Sequence, residues 1–272
     1  MLQIVVCMKQ VPDTTQVRID PETNTLIREG VPSIINPFDV HGIEEAVRIK
    51  ETYGGEITLL CQGPPAAIAE LQKGLSFGAD RAILLTDATM RGSDTLATSY
   101  ILSTAIKKLW NEHGLDIVIC GKQTIDGDTA QVGPGIATRL GLAQLTYVDK
   151  VVKIDLEKRK IQVRRRLEGA TAIIEAPMPA LLTVLKEANT PRYASLPALI
   201  KSLRTQPNVW NAAALELDPV QMGLKGSPTS VRRIFAPPER GGGEIIPGGV
   251  EAPERAAAAV AEKLLSSGVL EQ

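Results

Sequence analysis

Short apolar segments of strand length alternate with helical patterns through the first half of the chain, and this alternation limits the possible folds more than any other feature. The apolar segments are residues 4–8, 57–61, 82–85 and 117–120, and the helical patterns follow at residues 38–53, 64–77, 94–113 and 128–140. Buried strands joined by helices predict an α/β fold with a mainly parallel, doubly wound sheet. In such sheets, ligands bind beyond the carboxyl ends of the strands.

The pattern changes in the second half of the chain. Residues 151–156 and 160–166 predict a hairpin, and residues 170–175 and 180–185 predict two more strands. We therefore expect antiparallel additions to the sheet. An insertion at residues 17–27 (VRIDPETNTLI) predicts two short strands around a turn, which would overhang the ligand-binding edge.

The C-terminal region has little core of its own. Beyond Leu203 the chain is rich in proline and glycine, until an alanine-rich helix at residues 253–265. We predict an α/β domain of residues 1–203 and an extended C-terminal arm of residues 204–272 that packs on a partner subunit. The alternative is a flexible linker to a terminal helix.

The composition argues against several classes of partner. The chain has 30 basic and 31 acidic residues, a formal net charge of −1, so no global field attracts nucleic acid or an anionic membrane. Aromatic residues make up 3% of the chain, too few for a platform of stacked bases. The first residues lack signal-peptide features, and no apolar stretch approaches the roughly 20 residues that cross a bilayer. We expect a cytoplasmic protein without membrane insertion.

The sequence offers little for metal or acid–base chemistry. The cysteines are Cys7, Cys61 and Cys120, and the histidines are His41 and His113. The cysteines form no CxxC pair, so we interpret them as buried packing residues rather than as a disulfide framework or a metal site. The histidines form no Ser/His/Asp arrangement, and we predict no catalytic residues. There is no Walker A sequence, and Thr138 replaces the third glycine of a GxGxxG motif that would begin at Gly133.

Residues 121–134 (GKQTIDGDTAQVGP), here called the central loop, carry the clearest binding signal. They connect a strand to a helix that we predict to begin near Asp128. Unpaired N–H groups and the helix dipole at that point suit a phosphate, and Thr129 and Gln131 add side-chain hydrogen bonds. Asp126 and Asp128 suit a helix cap or ribose hydroxyls. The alternative interpretation is a capped turn without a ligand.

Two further strand ends are expected at the same edge of the sheet. Residues 62–65 (QGPP) allow the backbone to approach a ligand closely. Residues 92–98 (GSDTLAT) open a helix with hydroxyl groups one turn apart, which suits a second phosphate. With the central loop, these strand ends predict a dinucleotide site.

The chain resembles the β subunits of electron transfer flavoproteins over nearly its whole length. The motifs that carry the resemblance are VCMKQVPD (6–13), NPFD (36–39), EEAVR (44–48), GAD (78–80), the central loop and PRYASLP (191–197). The resemblance implies an α/β domain of the adenine-nucleotide α-hydrolase-like type. It also implies a heterodimer with an α subunit that carries one FAD.

In this family the β subunit holds a nucleotide of its own against the first strand, the Asn-Pro segment, the second strand end and the central loop. Combined with the helix start at residues 94–98, this resemblance gives a set of predicted cofactor-binding residues. They are Cys7, Asn36, Pro37, Phe38, Asp39, Gln62, Gly63, Pro64, Asp94, Thr95, Thr98, Gly121, Lys122, Gln123, Thr124, Ile125, Asp126, Gly127, Asp128, Thr129, Ala130, Gln131 and Val132.

The resemblance also bears on which nucleotide is bound. Many members hold structural AMP, whereas electron-bifurcating members hold a second FAD that faces NADH, and residues 27–37, 62–65 and 94–98 resemble the bifurcating subgroup. That subgroup splits electrons from NADH between ferredoxin or flavodoxin and, through the α-subunit FAD, a high-potential partner of the acyl-CoA dehydrogenase type. One alternative is a non-bifurcating carrier with AMP that relays electrons from acyl-CoA dehydrogenases. Another is an ATP-binding module that resembles universal stress proteins.

Two more positions take roles from the resemblance. Leu196 matches an exposed leucine that anchors in a groove on the partner dehydrogenase, and the alternative is packing at the start of a helix. Arg165 lies in the basic run of residues 158–166 and would face the α-subunit flavin. The alternative for that run is a solvated strand face.

Overall fold

The computed structural model describes residues 1–13, 32–232, 243–246 and 249–268. The two strands predicted within residues 17–27 lie outside the described residues. The chain forms two compact units, Met1–Arg233 and Ile234–Gln272.

Strands and helices alternate in the described part of the first unit. The strands are β1 (Leu2–Met8), β2 (Gln10–Pro12), β3 (Ser33–Ile35), β4 (Gly55–Gln62), β5 (Arg81–Leu85), β6 (Ile117–Gly121), β7 (Ala143–Asp155), β8 (Lys160–Leu167), β9 (Ala170–Pro177), β10 (Ala180–Val184) and β11 (Asn208–Trp210). The helices are α1 (Pro37–Tyr53), α2 (Ile68–Ser76), α3 (Thr95–His113), α4 (Val132–Leu140) and α5 (Leu196–Arg204), and the second unit contains α6 (Pro253–Ser266). None of these helices is long and apolar enough to cross a membrane.

A nine-stranded sheet forms the centre of the first unit, in the order β11-β5-β4-β1-β6-β10-β7-β8-β9. The strands from β11 to β7 are parallel, whereas β7 and β8, and β8 and β9, pair antiparallel. β2 and β3 form a separate antiparallel pair. The predicted class, a mainly parallel sheet with antiparallel additions, is confirmed.

Helices cover both faces of the sheet, as its apolar strands require. Ile4, Val6 and Met8 of β1 belong to one buried cluster with α1 and α2, and Val5 and Cys7 belong to a second cluster with α3 and α4. Successive side chains of a strand point to opposite faces, so each face has its own core. The sheet is doubly wound, as predicted.

β10 differs from the prediction in both position and direction. We expected residues 180–185 among the antiparallel additions, but β10 lies between β6 and β7 and runs parallel to both. All five of its residues are buried. A continuous apolar run, here Ala-Leu-Leu-Thr-Val, is typical of a parallel strand covered on both faces, and this signal outweighs the neighbouring hairpin pattern.

The first unit extends beyond Leu203, where the sequence placed the end of the α/β domain. β11 pairs with β5. Leu215, Leu217 and Met222 are buried in the core cluster that contains α3. Residues 208–232 therefore belong to the first unit, because they cover an outer strand and bury apolar side chains. That the remaining arm packs on a partner stays a prediction.

β1 lies at the point where the strand order reverses. From β1 the sheet extends through β4 and β5 on one side and through β6 and β10 on the other. Connections leave towards opposite faces at such a point, which opens a crevice beyond the carboxyl ends of the strands. Met8, Gln62 and Gly121 end β1, β4 and β6 at this crevice.

Candidate functional site

A cavity of about 360 Å³ opens at the crevice, within the range of about 300–1,000 Å³ typical of small-molecule sites. Its lining brings together most of the predicted cofactor-binding residues, from all three strand ends. These residues are Cys7, Asp39, Gln62, Asp94, Thr95, Thr98, Gly121, Lys122, Gln123, Thr124, Gly127, Thr129, Ala130, Gln131 and Val132. The other predicted residues, Asn36, Pro37, Phe38, Gly63, Pro64, Ile125, Asp126 and Asp128, are not part of this lining.

Several of the residues outside the lining shape the cavity wall. The Gly63 N–H donates to the carbonyl of Leu85 at 3.1 Å, which joins the ends of β4 and β5. Pro64 precedes a single 3-10 turn, and Asp128 accepts a hydrogen bond from the Gln123 side chain. These residues fix the path of the backbone around the cavity.

The central loop turns twice before α4 begins. The Asp128 N–H donates to the Thr124 carbonyl at 2.9 Å, and Asp128 and Ala130 have φ angles of 51° and 55°. The helix therefore begins at Val132, and the prediction that it begins near Asp128 was wrong. Pro134 explains the difference, because proline fits the first turn of a helix but would break one that began at Asp128.

A backbone turn takes the place of the predicted phosphate site at a helix start. Ala130, with its positive φ, is followed by Gln131 in the right-handed helical region. Successive residues of opposite hand direct their N–H groups into one concave surface, which binds anions. The left-handed conformation of Ala130 costs about 1 kcal/mol, and such strain concentrates at binding sites.

Long-range hydrogen bonds hold the central loop against the ends of α1 and β1. The Asn36 side chain donates to the Gln123 carbonyl at 2.9 Å and accepts from the Ile125 N–H at 3.2 Å. Lys9 Nζ lies 2.7 Å from an Asp126 oxygen. Burial would raise the pKa of Asp126, but hydrogen bonds from Lys9 and Thr124 and the charge of Lys9 together outweigh it, and the net pKa is lowered. Asn36 and Asp126 therefore support the loop from outside the cavity.

The start of α3 forms the opposite wall. One oxygen of Asp94 accepts two backbone N–H groups of the first turn, and the other accepts the N–H and the hydroxyl of Thr229. Burial would raise the pKa of Asp94, but the hydrogen bonds from Thr229 and from the helix backbone lower it below its ordinary value. Asp94 thus caps the helix, and the neighbouring Thr95 and Thr98 remain to face the cavity.

Gln62 places an unused acceptor on the cavity wall. Its Oε1 is buried and has no hydrogen-bond partner within the described part of the chain. A buried polar atom without a partner costs about 1–3 kcal/mol, and a donor on a molecule in the cavity would remove that cost.

The structure adds cavity residues that the sequence did not single out as binding residues. They are Met8, Lys9, Met90, Leu102 and Cys120, whereas Gly92, Ser93 and Gly133 also line the cavity but belong to binding motifs that the sequence singled out. Leu102 follows Thr95 and Thr98 at helical spacing, so extending that pattern by one turn would have found it. The packing role of Gly133, within the central loop, had no such signal. A Cβ there would lie 2.8 Å from the Thr183 side chain, a contact between distant segments.

A second cavity, of about 560 Å³, shares Lys122 with the first and is also lined by Phe38, Tyr147 and Arg165. Lys122 Nζ lies 5.3 Å from the centre of the Tyr147 ring, and Lys186 Nζ lies 4.6 Å from that of Phe38. Arg165 Nε is buried without a partner among the described residues. Aromatic faces beside several cations suit a planar ligand that carries negative charge.

The segment around Leu196 is exposed but firmly anchored. The side chain of Leu196 is 69% exposed, and that of Tyr193 is 99% exposed. Arg192 pairs with Glu44 at 2.8 Å and with Glu51 at 2.6 Å, both on α1. Burial would raise the pKa of Glu44, but hydrogen bonds from Arg192 and from a second arginine on α1 lower it. This ion network holds an apolar segment towards solvent.

Comparison with known proteins identifies one family for this chain. A family model described as "Electron transfer flavoprotein domain" matches residues 23–215. "Protein FixA" of Sinorhizobium fredii is 53% identical over 241 residues, which cover 88% of this chain and 85% of that protein. "Protein FixA" of Azotobacter vinelandii is 49% identical over 264 residues, 96% of this chain and 94% of that protein. "Electron transfer flavoprotein subunit beta" of Clostridium acetobutylicum is 46% identical over 263 residues, 97% and 98% of the two chains.

Proposed function

Because this chain belongs to the electron transfer flavoprotein family, as a β subunit, we propose that it binds FAD in the cavity at the ends of β1, β4 and β6 and takes electrons from NADH. One electron then passes through the FAD of the α subunit to a high-potential partner of the acyl-CoA dehydrogenase type. The other passes to ferredoxin or flavodoxin. The complex would thus carry out flavin-based electron bifurcation.

The observation that carries this proposal is the convergence of three strand ends on one cavity, whose wall carries a buried acceptor with no partner among the described residues. The hydroxyl groups of Thr95 and Thr98 and the backbone turn at Ala130 and Gln131 are donors for phosphate groups. Gln62 Oε1 is an acceptor for a ring N–H. These groups fit a cofactor with phosphates and a heterocycle.

The chain acts by binding and orienting the cofactor. Donors from the start of α3 and from the central loop hold phosphates, and Asn36 and Lys9 keep the loop in place. The apolar side chains of Met90 and Leu102 exclude water from part of the cavity. FAD, when bound there, supplies two-electron acceptance and one-electron release. Transfer between flavins needs proximity rather than a general base, in keeping with the two histidines outside the cavity lining.

The cavity volume supports a second candidate, a non-bifurcating carrier with structural AMP that relays electrons from acyl-CoA dehydrogenases. About 360 Å³ lies near the lower end of the usual range. A mononucleotide suits this volume, whereas FAD would have to extend past the mouth of the cavity. Membership of the electron transfer flavoprotein family removes the ATP-binding module that resembles universal stress proteins.

The second cavity is the part of this chain that we propose to face the α-subunit flavin. It shares Lys122 with the first cavity, so a flavin there would lie close to the proposed β-site cofactor. The buried Nε–H of Arg165 has no acceptor in the part of the chain that the structure describes, and the charge of Arg165 would favour negative charge on a nearby ring. Proximity of the two sites is what electron transfer between flavins requires.

We propose that the part of the C-terminal arm beyond the first unit packs on the α subunit. Val260, Leu264 and Leu265 of α6 are exposed. Their spacing places them on one side of the helix, which gives it an apolar face. An α subunit is the partner that the family implies for such a face.

The proposal is tested by mixing the anaerobic αβ heterodimer with NADH and following flavin absorbance and acceptor reduction. We expect NADH to bleach the flavin, and ferredoxin or flavodoxin to be reduced only when the high-potential partner is also present. No bleaching by NADH would contradict the bifurcating function and favour the AMP-containing carrier.

The exposed leucine of α5 gives a prediction about partner docking. Leu196→Ala should raise the KM for a partner of the acyl-CoA dehydrogenase type about thirtyfold, the effect of losing a central apolar contact of about 2 kcal/mol. Flavin content should not change. Val220, which is also exposed, provides the control, because Val220→Ala should leave the KM unchanged. Equal effects of the two substitutions would contradict an anchoring role for Leu196.

A further inference from the structure

Asp39 was expected to contact a nucleotide, but its carboxylate is directed at the protein backbone. Asp39 lies in the first turn of α1 and is buried. One carboxylate oxygen accepts the Lys9 N–H at 2.8 Å, and the other accepts the Gly121 N–H at 3.2 Å. The carboxylate therefore links α1, on which Asp39 lies, to the ends of β1 and β6.

These two N–H groups lie at the ends of the strands that form the cavity. Lys9 directly follows β1, and Gly121 ends β6 and begins the central loop. Both residues line the cavity. A small movement of either backbone would therefore change the shape of the nucleotide site.

The packing around Gly121 shows how closely Asp39 fits. A Cβ at Gly121 would overlap Asp39 Oδ1 and would lie 2.7 Å from the Cβ of Phe38. Only glycine allows the loop to begin against this carboxylate, so the position of Asp39 and the path of the loop depend on each other.

We propose that Asp39 is a positioning residue whose ionised carboxylate holds the ends of β1 and β6 in the arrangement that the cavity needs to bind a nucleotide. This inference rests on the proposed nucleotide-binding function. It adds that the shape of the nucleotide site depends on the protonation state of Asp39. The ionised carboxylate accepts both N–H groups. When one oxygen carries a proton, the group loses its charge and that oxygen becomes a weak acceptor, so the charge-assisted hydrogen bond from the N–H that faces it is lost.

Both the ionised and the protonated form of Asp39 are populated near neutral pH. Burial raises the pKa of Asp39 to about 7, although hydrogen bonds from Asn36, Lys9 and Gly121 and the charge of Lys9 oppose the rise. Among the described residues, the thiols of Cys61 and Cys120, on β4 and β6, are close enough to Asp39 to feel its charge. Burial raises the pKa of Cys61 to about 12, and the hydrogen bond with Cys7, together with burial, raises that of Cys120. Neither of these two thiols titrates in the same range.

The test compares FAD binding to the wild-type αβ heterodimer and to the Asp39→Asn heterodimer, each stripped of exchangeable nucleotide. FAD serves as the probe because, unlike AMP, it has no phosphate monoester, whose second pKa of about 6 would itself make binding depend on pH. We expect wild-type affinity to fall about tenfold from the higher pH, about 8, to the lower pH, about 6, the effect of one lost hydrogen bond to a charged group. Asp39→Asn has the same size but only one oxygen acceptor, so its affinity should be about tenfold lower at the higher pH and independent of pH.

Asp116 supplies the matched control. It is also a buried carboxylate that accepts a backbone N–H of β1, from Gln3 at 2.8 Å, but at the opposite end of the strand. Asp116→Asn should change the stability of the heterodimer while leaving both FAD affinity and its pH dependence as in the wild type. A merely structural role for Asp39 predicts that the two variants behave alike.

Three results would overturn the inference. The first is an Asp39→Asn variant whose FAD affinity depends on pH as the wild type does. The second is a wild-type affinity that does not change with pH. The third is a wild-type affinity that rises on acidification, which would show that the charge of Asp39 repels the phosphates. If Asp39→Asn does not fold, the wild-type pH profile decides between these outcomes. If the wild type binds neither FAD nor AMP, the proposed function fails. Amide hydrogen exchange then tests separately whether the carboxylate of Asp39 holds the two strand ends. After correction for the base-catalysed intrinsic rate, weaker protection of the Lys9 and Gly121 amides below about pH 7 supports the inference, and unchanged protection refutes it.

Discussion

Replacing Thr98 by tryptophan should abolish nucleotide binding to the β subunit. Thr98 lies in the first turns of α3 and faces the cavity. The indole ring would occupy the volume of about 360 Å³ that we assign to the ligand. We expect affinity for FAD, or for AMP, to fall by at least about a hundredfold, equivalent to about 2.7 kcal/mol. Nucleotide retained by the purified αβ heterodimer measures the effect.

The control for this prediction places the same side chain elsewhere on α3. Asn111 is exposed near the end of the helix, so Asn111→Trp adds the same bulk without approaching the cavity. This variant should retain its nucleotide in full. If Thr98→Trp also retains it, the cavity at the strand ends is not the nucleotide site.

Replacing Arg192 by alanine should destabilise the protein more than the loss of an exposed ion pair does. Glu44 is buried, and Arg192 supplies one of its two ion pairs. A buried carboxylate that loses a charged hydrogen-bond partner destabilises a protein by about 2–3 kcal/mol. Denaturant unfolding of the heterodimer at neutral pH measures the difference. Arg166→Ala is the comparison, because Arg166 and Glu187 are both about half exposed and such pairs contribute less than about 1 kcal/mol.

The effect of Arg192→Ala should also depend on pH in a defined direction. The pKa of Glu44 in the folded protein is below its ordinary value. The stability from this network is therefore complete above the ordinary pKa and is lost as the pH falls through the lower, folded-state pKa. The difference between wild type and variant should shrink in acid. A difference that stays constant below about pH 4 would contradict the role of Glu44.

Local sequence patterns were sufficient to predict most of the fold and the convergence of three strand ends at one cavity. Short apolar runs predicted the parallel strands β1, β4, β5 and β6. The start of α3 was predicted correctly at Asp94, which is its N-cap. Because parallel strands end at one edge, three separate loop motifs could be assigned to one site before any contact was known. The cavity lining includes residues from all three.

The differences arise where distant residues or a single proline decide the backbone. Pro134 delays the start of α4, and the central loop therefore presents a backbone turn rather than a helix end. The carboxylate of Asp39 reaches Gly121 across 82 positions, and Arg192 reaches Glu44 across 148. No local pattern contains such pairs, so their supporting roles became clear only in the folded chain.

The measurement that tests the account most directly is the nucleotide content of the purified αβ heterodimer. Nucleotides released by denaturation are separated and counted against protein concentration. We expect two FAD per heterodimer and no AMP, with one FAD lost in Thr98→Trp. One FAD and one AMP per heterodimer would contradict the bifurcating function while keeping the cavity as a nucleotide site. One FAD and no second nucleotide would contradict the site itself.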